Sequence, residues 1–414
     1  MTQSILSHTF DNGLVLVAEP MTSLRSAAFT VLVPSGSAYE PAEFAGLGGF
    51  TCEMSLRGAG PRDSRQFILN LENLGIDRHE SVYNAHAAYS GAMLAENLPK
   101  VLAIYADLLR RPHLGADQIE AARLVMLQEL HAIEDEPGHQ LMLELRRCHY
   151  PKPWNKSPHG DLKGIEAVAV EQVREHFNRH YRPEGTIIGV AGRFEWEQLK
   201  DTVGNLLGDW QSQDVPEIVE STPGPRYEHL PYDSNQTHVG IAYPSVPYRH
   251  EDYFQAWGAV GVLSGGSSAR LFTEVREKRG LCYSVNASHH TLKDIGAVLC
   301  YAGTSAERAQ ETLDVTLGEL DRLARGVEEQ ELDRLKARIK SALIMQQESS
   351  HSRSSTLARD WYHLGRSRTL EEVGQKIDAL SSDSINEYLE RRPPGDFTIV
   401  TLGPEKLETP GGIS

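Results

Sequence analysis

The segment AEFAGLGGFTCEMSLRGAG, residues 42–60, sets a thiol, Cys52, directly beside a carboxylate, Glu53, with Arg57 four residues on. Thiolates and carboxylates are both metal ligands, and metal-assisted hydrolysis further needs a carboxylate free to deprotonate water. Neighbours i and i+1 on a helix stand about 100° apart around the axis, so Cys52 and Glu53 diverge. Cys52 therefore reads as core packing and Glu53 as solvated or paired with Arg57. Two histidines three or four residues apart would share one helix face and one ion, but the 17 histidines include no HExxH and no HxxEH. His159, His176, His180, His289 and His290 fall near polar or turn positions and read as solvated. The glycine-rich stretches AGLGGFTCEM and LSGGSSARLF lack the strand, tight glycine turn and downstream acid of a nucleotide fold. No GK[ST] segment occurs, so nucleotide binding is not expected. Cys52, Cys148, Cys282 and Cys300 are scattered without CxxC spacing and read as buried reduced thiols. A cysteine peptidase fits poorly, because no histidine is assigned to Cys52.

The elements around these residues alternate between strand and helix. Residues 8–35 read as a hairpin with Asp11-Asn12-Gly13 at a turn. Apolar spacing predicts helices over 62–76, 97–112, 116–135 and 169–180, then a strand at 186–192 and a helix from Trp196 to Trp210. QSQDVPEIVESTPGP, residues 211–225, is polar and rich in Pro and Ser and reads as a linker. Beyond it the same order resumes, with helices over 306–324 and 328–345. HFNRHYRPEGTIIGVAG closes the first half and YLERRPPGDFTIVTLG the second, each a helix end, a Pro and Gly turn and an apolar strand. The chain of 414 residues thus reads as an α+β protein of two homologous domains, 1–210 and 226–414, each of the usual domain size. A formal charge of -16 argues against nucleic-acid and anionic-membrane partners. No apolar run reaches the roughly 18 residues of a membrane span. MTQSILSHTFDNG has no signal-peptide pattern, so the expected compartment is the cytoplasm, with the periplasm as the alternative.

Residues 46–58 resemble a segment of the pitrilysin-like zinc peptidases, the family of mitochondrial processing peptidase and paired bacterial relatives. Gly46-Leu47-Gly48-Gly49-Phe50-Thr51-Cys52-Glu53-Met54, with Arg57-Gly58 behind, fits the family's GxAHFxEHMxFxGT without a gap. The resemblance puts Gly49 at the first histidine ligand, Cys52 at the catalytic glutamate and Glu53 at the second histidine. Glu129 in RLVMLQELHAIEDEP matches the distant glutamate ligand, and Ala122 stands where that helix has a second glutamate. The metal site is degenerate on this reading and no metal is expected in the chain. VLSGGSSARLFTEVREKRGLCYSV, residues 262–285, is closely similar to the family's C-terminal domain. There Arg276 and Tyr283 match an arginine and a tyrosine that orient the substrate backbone and stabilise the transition state.

The resemblance extends from about residue 8 to about residue 403. It implies two mainly antiparallel sheets packed against helices, forming half of a clamshell chamber. Asn84-Ala85 matches a strand edge that pairs with extended peptides, although His86 stands where other members often have Thr. Gly265, Gly266 and Ser267 would allow close approach by such a peptide. The implied function is the zinc-less subunit of a heterodimeric metallopeptidase, with Arg276 and Tyr283 completing an active site whose zinc sits on a partner with an intact HxxEH. Two alternatives stand beside it: a peptidase with an atypical Cys52, Glu53 and Glu129 site, and a structural or interaction protein derived from the same fold.

Overall fold

The computed structural model describes residues 3–213, 218 and 220–409. It falls into two compact units. The first comprises residues 1–132, 152–221 and 345–370, and the second 133–151, 222–344 and 371–414. The units are discontinuous: 133–151 and 345–370 each join the unit on the other side of a contiguous division at 211–225, and part of that linker lies outside the described residues.

The first unit is built on strands β1 (Leu6–Thr9), β2 (Val15–Pro20) and β3 (Ser26–Val33), a two-residue ladder of β4 (Gly58–Ala59) and β5 (Arg62–Asp63), then β6 (Asp77–Val82), β7 (Ala87–Leu94) and β8 (Ile187–Gly192). Its main sheet runs β1-β2-β8-β3-β7-β6. The β1–β2 hairpin turns at the predicted Asp11-Asn12-Gly13, where Gly13 takes φ +84°, a left-handed value that costs glycine little. β8 inserts between β2 and β3, parallel to the first and antiparallel to the second. The second unit carries β9 (Tyr227–Pro231), β10 (Gln236–Ser245), β11 (Cys282–Thr291), β12 (Gly296–Ser305) and β13 (Thr398–Gly403), ordered β11-β12-β10-β13-β9. Read backwards, that order superimposes on β2-β8-β3-β7-β6. In both units the late strand pairs in parallel with the first of the five and antiparallel with the next. The duplication seen in the closing segments is therefore a duplication of sheet topology.

Predicted helices form with shifts of a few residues at their ends: Ser64–Asn73, Leu98–Arg110, Ile119–Glu134, Val170–His180, Trp196–Leu207, Ala309–Ala324 and Glu329–Gln347. The main core of the first unit lies where its sheet meets them, through Phe29, Tyr89, Val101, Tyr105 and Phe177 among others. The second core gathers Val239, Ile241, Leu263, Leu313, Leu332 and Ile385. The helix Ser350–Leu364 covers the opposite face of the first sheet, against Val17, Ile187 and Ala191 through Leu357 and Ala358. Gly189 makes room for it, since a Cβ there would strike the Ser354 carbonyl. In the second unit Pro137–His149 lies likewise on β10 and β13, with Leu141 and Leu145 over Gly240. Among the described residues no helix is long and apolar enough to cross a membrane.

Candidate functional site

The helix Leu47–Ser55 begins at Gly46, whose φ of +95° suits glycine. Its first turn is held by a carboxylate six residues upstream: Gly46 N–H donates to Glu40 Oε2 and Gly48 N–H to Glu40 Oε1, each at 2.8 Å. An anion at that end satisfies orphan amides and opposes the helix dipole. Burial nevertheless pushes the Glu40 carboxyl up to about 7, against the lowering effect of those amides and of Lys156. No spacing rule in the sequence points to Glu40.

Along this helix Cys52 and Glu53 diverge as the helical geometry demands. Cys52 is 5% exposed, and burial pushes its thiol up to about 12, with Tyr89 as its hydrogen-bonding neighbour. The Tyr89 hydroxyl continues into a buried network with Ser55 Oγ at 3.0 Å and the Tyr181 hydroxyl at 2.6 Å. Glu53 turns outward and its Oε1 accepts from Arg57 Nε at 2.9 Å and from the Arg57 terminal nitrogen at 2.6 Å. Glu129 reaches the same neighbourhood from Ile119–Glu134, and partial burial together with the Glu53 charge raises its carboxyl above the ordinary range. Gly49 offers no donor, and Met126 occupies the space beside it: a Cβ there would lie 2.8 Å from Met126 Cε, the movable end of a side chain, and at an ordinary 3.5 Å from the Pro158 carbonyl. Met126 and Ala122 are both buried on the helix that carries Glu129. The Met126 plug is invisible to a search for ligand types, because a methionine at helical spacing looks like any core residue.

A zinc ion does not fit these residues. Position 49 is backed by a methionine, position 52 holds a protonated thiol directed into the core, and the Glu53 carboxylate is bound to Arg57. Among the described residues one trio of metal-capable side chains has its ligand atoms within 4.8 Å of one another, Glu144, Cys148 and Glu228 in the second unit. There Glu144 is bonded to Arg147, and burial pushes Cys148 up to about 12.

The second unit brings Arg276 and Tyr283 together. Arg276 lies on Phe272–Glu277, a π-helical turn in which Lys278 N–H donates to the Thr273 carbonyl at 2.9 Å. Tyr283 sits where the β11–β12 register shifts between Cys282 and Ser284. Such a bulge leaves one residue out of the ladder and re-aims its side chain, and Tyr283 is 84% exposed. The Arg276 guanidinium rests 4.8 Å from the Phe272 ring centroid and 5.0 Å from that of Tyr283. Glu274, a natural candidate to neutralise Arg276, is bonded instead to Lys278 and Arg279. Among the described residues Arg276 joins no ion pair, so its donors are available outward.

The remaining expected site residues have structural work. Asn84 and Ala85 lie in the turn between β6 and β7, and the strand edge itself is β6. The turn closes through Tyr83 N–H to the His86 carbonyl at 2.8 Å. The Asn84 amide donates to the carbonyls of Trp154 at 2.9 Å and Lys156 at 3.0 Å, which ties this half-buried turn to the segment 154–156. This corrects the strand-edge placement. Gly265 ends the helix Tyr253–Ser264, and Gly266 packs beside Arg338, so both glycines answer local close approach; Ser267 is exposed. Ser264 Oγ accepts from Ala287 N–H at 2.8 Å, which occupies one donor on β11. His159 is half-buried, and the other four histidines are less solvated than expected. His176 and His180 are buried, and burial pushes His289 and His290 down to about 4. His289 faces Ser245 and the Val246 carbonyl, and His290 the Tyr150 hydroxyl at 2.7 Å.

The family profile described as insulinase, peptidase family M16, matches residues 15–152, and that described as peptidase M16 inactive domain matches residues 167–339. A Bacillus subtilis protein named as the uncharacterized zinc protease YmxG is 25% identical over 97% of this chain and 98% of its own. The uncharacterized zinc protease Rv2782c of Mycobacterium tuberculosis is 27% identical over 96% and 92% of the two chains. The fold matches a solved peptidase M16 inactive domain from Pseudomonas fluorescens, with a TM-score of 0.87 at 20% identity over 98% of this chain and 99% of that one. It also matches a protease from Helicobacter pylori, with a TM-score of 0.88 at 20% identity over 98% and 100%. Two adjoining profiles and relatives aligned almost end to end agree with the duplicated sheet topology, and the chain belongs to the pitrilysin-like peptidase family M16.

Proposed function

We propose that this chain is the zinc-less subunit of a two-chain M16 peptidase, one that completes the peptide-binding chamber and presents Arg276 and Tyr283 to a partner's active site. The observation that carries the reading is Met126 packed against Gly49, together with the Arg57–Glu53 bond, where the family holds its metal. With the thiol at position 52 protonated near neutral pH, the helix supplies no base for a water molecule. The zinc relatives' names suggest is assigned to a partner bearing an intact HxxEH, where it would polarise a peptide carbonyl.

Arg276 then gives directed donors to the carbonyl of an extended peptide, and the Tyr283 phenol donates to a developing oxyanion. A π-helical turn carries Arg276 and a β-bulge exposes Tyr283 beside it, and both kinds of irregularity recur at functional sites. Asn84, Ala85, Gly265, Gly266 and Ser267 are proposed to border the peptide only through the loops they shape. The cytoplasm remains the proposed compartment.

The test is peptide cleavage by this chain alone, by the partner alone and by the mixture. Activity is expected only in the mixture. Arg276→Ala and Tyr283→Phe should each lower its turnover, by up to about 10²-fold for a lost transition-state donor, without loss of the complex. Little effect of either substitution would favour the structural or interaction role. Metal-dependent cleavage by the isolated chain, free of contaminating peptidase, would overturn the proposal.

A further inference from the structure

A second feature of the first unit is independent of that proposal. A cavity of about 80 Å³ opens between residues 39–47 and the helix Val170–His180. One ordered water needs roughly 10–15 Å³ of such space, so the cavity has room for a group of several heavy atoms. Pro41, Phe44 and Leu47 form an apolar wall, and Tyr39, His176 and His180 supply polar atoms. Gln172, Glu175 and Arg179 complete the lining, with Glu175 and Arg179 exposed.

The polar side of the cavity is unbalanced. His180 is 4% exposed, yet its Nδ1 is buried without a hydrogen-bond partner. Its ring lies 4.4 Å from that of His176 and 5.1 Å from that of Tyr39. His176 is already anchored, through Nε2 to Ser35 Oγ at 3.0 Å. Arg182 is 1% exposed, and its charge acts on both His180 and Tyr39. It donates to the Arg179 carbonyl at 3.3 Å, its Nε has no partner, and no carboxylate among the described residues pairs with it. Glu184 is felt at a distance without an ion pair. Arg182 lies outside the lining and reaches the cavity through its charge on His180 and Tyr39; a buried cation without a counter-charge is costly, and an anion beside those two residues would offset it. Arg179 in the lining and Arg182 behind it set two positive charges against one lining carboxylate, the solvent-exposed Glu175, and this balance opposes a metal cation at the two imidazoles.

We propose that this cavity binds a small carboxylate on a short apolar stem, with the acid group directed toward His180, Tyr39 and the charge of Arg182 and the stem against Pro41, Phe44 and Leu47. Butyrate serves as a free acid and N-acetylleucine as a miniature peptide carboxyl terminus; butanol and butylamine are the neutral and cationic controls. Titration calorimetry and imidazole NMR should show saturable one-to-one binding of one or both acids and none of the controls, and the tighter acid identifies the source. His180→Phe should weaken binding about 10- to 100-fold, the range of a hydrogen bond to a charged group, and Arg182→Met by a smaller factor, because Arg182 acts through its charge from outside the lining. Unliganded Arg182→Met should unfold no earlier than the parent, because it removes an unpaired buried charge. If Arg182→Met does not fold, His180→Phe and Tyr39→Phe decide the matter. Absence of saturable acid binding, equal binding of butanol, or unchanged affinity in the folded variants would each overturn the proposal.

Discussion

Replacing Gly49 by histidine puts a ligand side chain where Met126 now packs, and the structure fixes what that costs. The new Cβ would stand 2.8 Å from Met126 Cε, against roughly 3.5–4.0 Å for an ordinary carbon contact. The methionine methyl must therefore retreat by about 1 Å before any atom of the imidazole ring is placed. Met126 has the torsional freedom to move, but it is 4% exposed in a core packed at crystal-like density. Because the atom met is the movable end of a side chain, the cost falls at the low end of overpacking, about 1 kcal/mol, which for a unit of this size lowers Tm by about 2–4 °C. The assay is thermal and urea unfolding of the parent, Gly49→His, Met126→Ala and the double variant. Because the two side chains compete for one volume, the double variant should be more stable than the sum of the single losses by about 0.5–3 kcal/mol. An unchanged Tm for Gly49→His, or strict additivity in the cycle, would refute the reasoning that position 49 is plugged.

Three further outcomes follow from named contacts. Because the folded carboxyl of Glu40 titrates at about 7 and an unfolded glutamate near ~4.3, the folded state binds more protons between those values. That contribution is full below the unfolded value and is lost as pH rises through 7. Glu40→Gln should remove this part of the decline in urea-unfolding stability between about pH 4 and 7, and a pH profile parallel to the parent's would contradict it. Arg353 Nε donates to Glu19 Oε2 at 2.8 Å with both residues buried, so Glu19→Ala should cost about 3–5 kcal/mol by stranding a buried cation; a loss below about 1 kcal/mol would place the pair with weak surface bridges. Finally, all four thiols are buried and unbridged, and burial pushes Cys52 and Cys300 up to about 12. Native protein at neutral pH should resist alkylation that follows thiolate content, and rapid labelling of Cys52 would contradict its place in the core.

Much of this molecule is legible along the chain because its signals are local. Apolar periodicity depends on neighbours within two turns, and it placed Leu98–Arg110 and Val170–His180 to within two residues at each end. The divergence of Cys52 and Glu53 follows from helix geometry alone, while the Glu53–Arg57 bond joins the last turn of the helix to a residue just past its cap. Asn84-Ala85 is a different case: similarity of a short segment does not say where a strand stops, and the residues turned out to shape a corner whose amide caps distant carbonyls. The buried His176 and His180 misled for a related reason, since polar neighbours along a helix say little about which face another segment covers.

By itself the amino-acid order determined the family, the two-fold repetition of strand and helix, and the presence of a glycine at position 49 and a cysteine at position 52, because each is a property of residue types in succession. Only the tertiary structure decided that Met126 fills the space beside Gly49, that a register shift turns Tyr283 outward beside Arg276, and that 133–151 and 345–370 each join the unit other than the one their place in the chain suggests. Those outcomes rest on contacts between segments far apart in sequence, selected by packing volume and by the pairing of buried polar groups, and no local pattern encodes them.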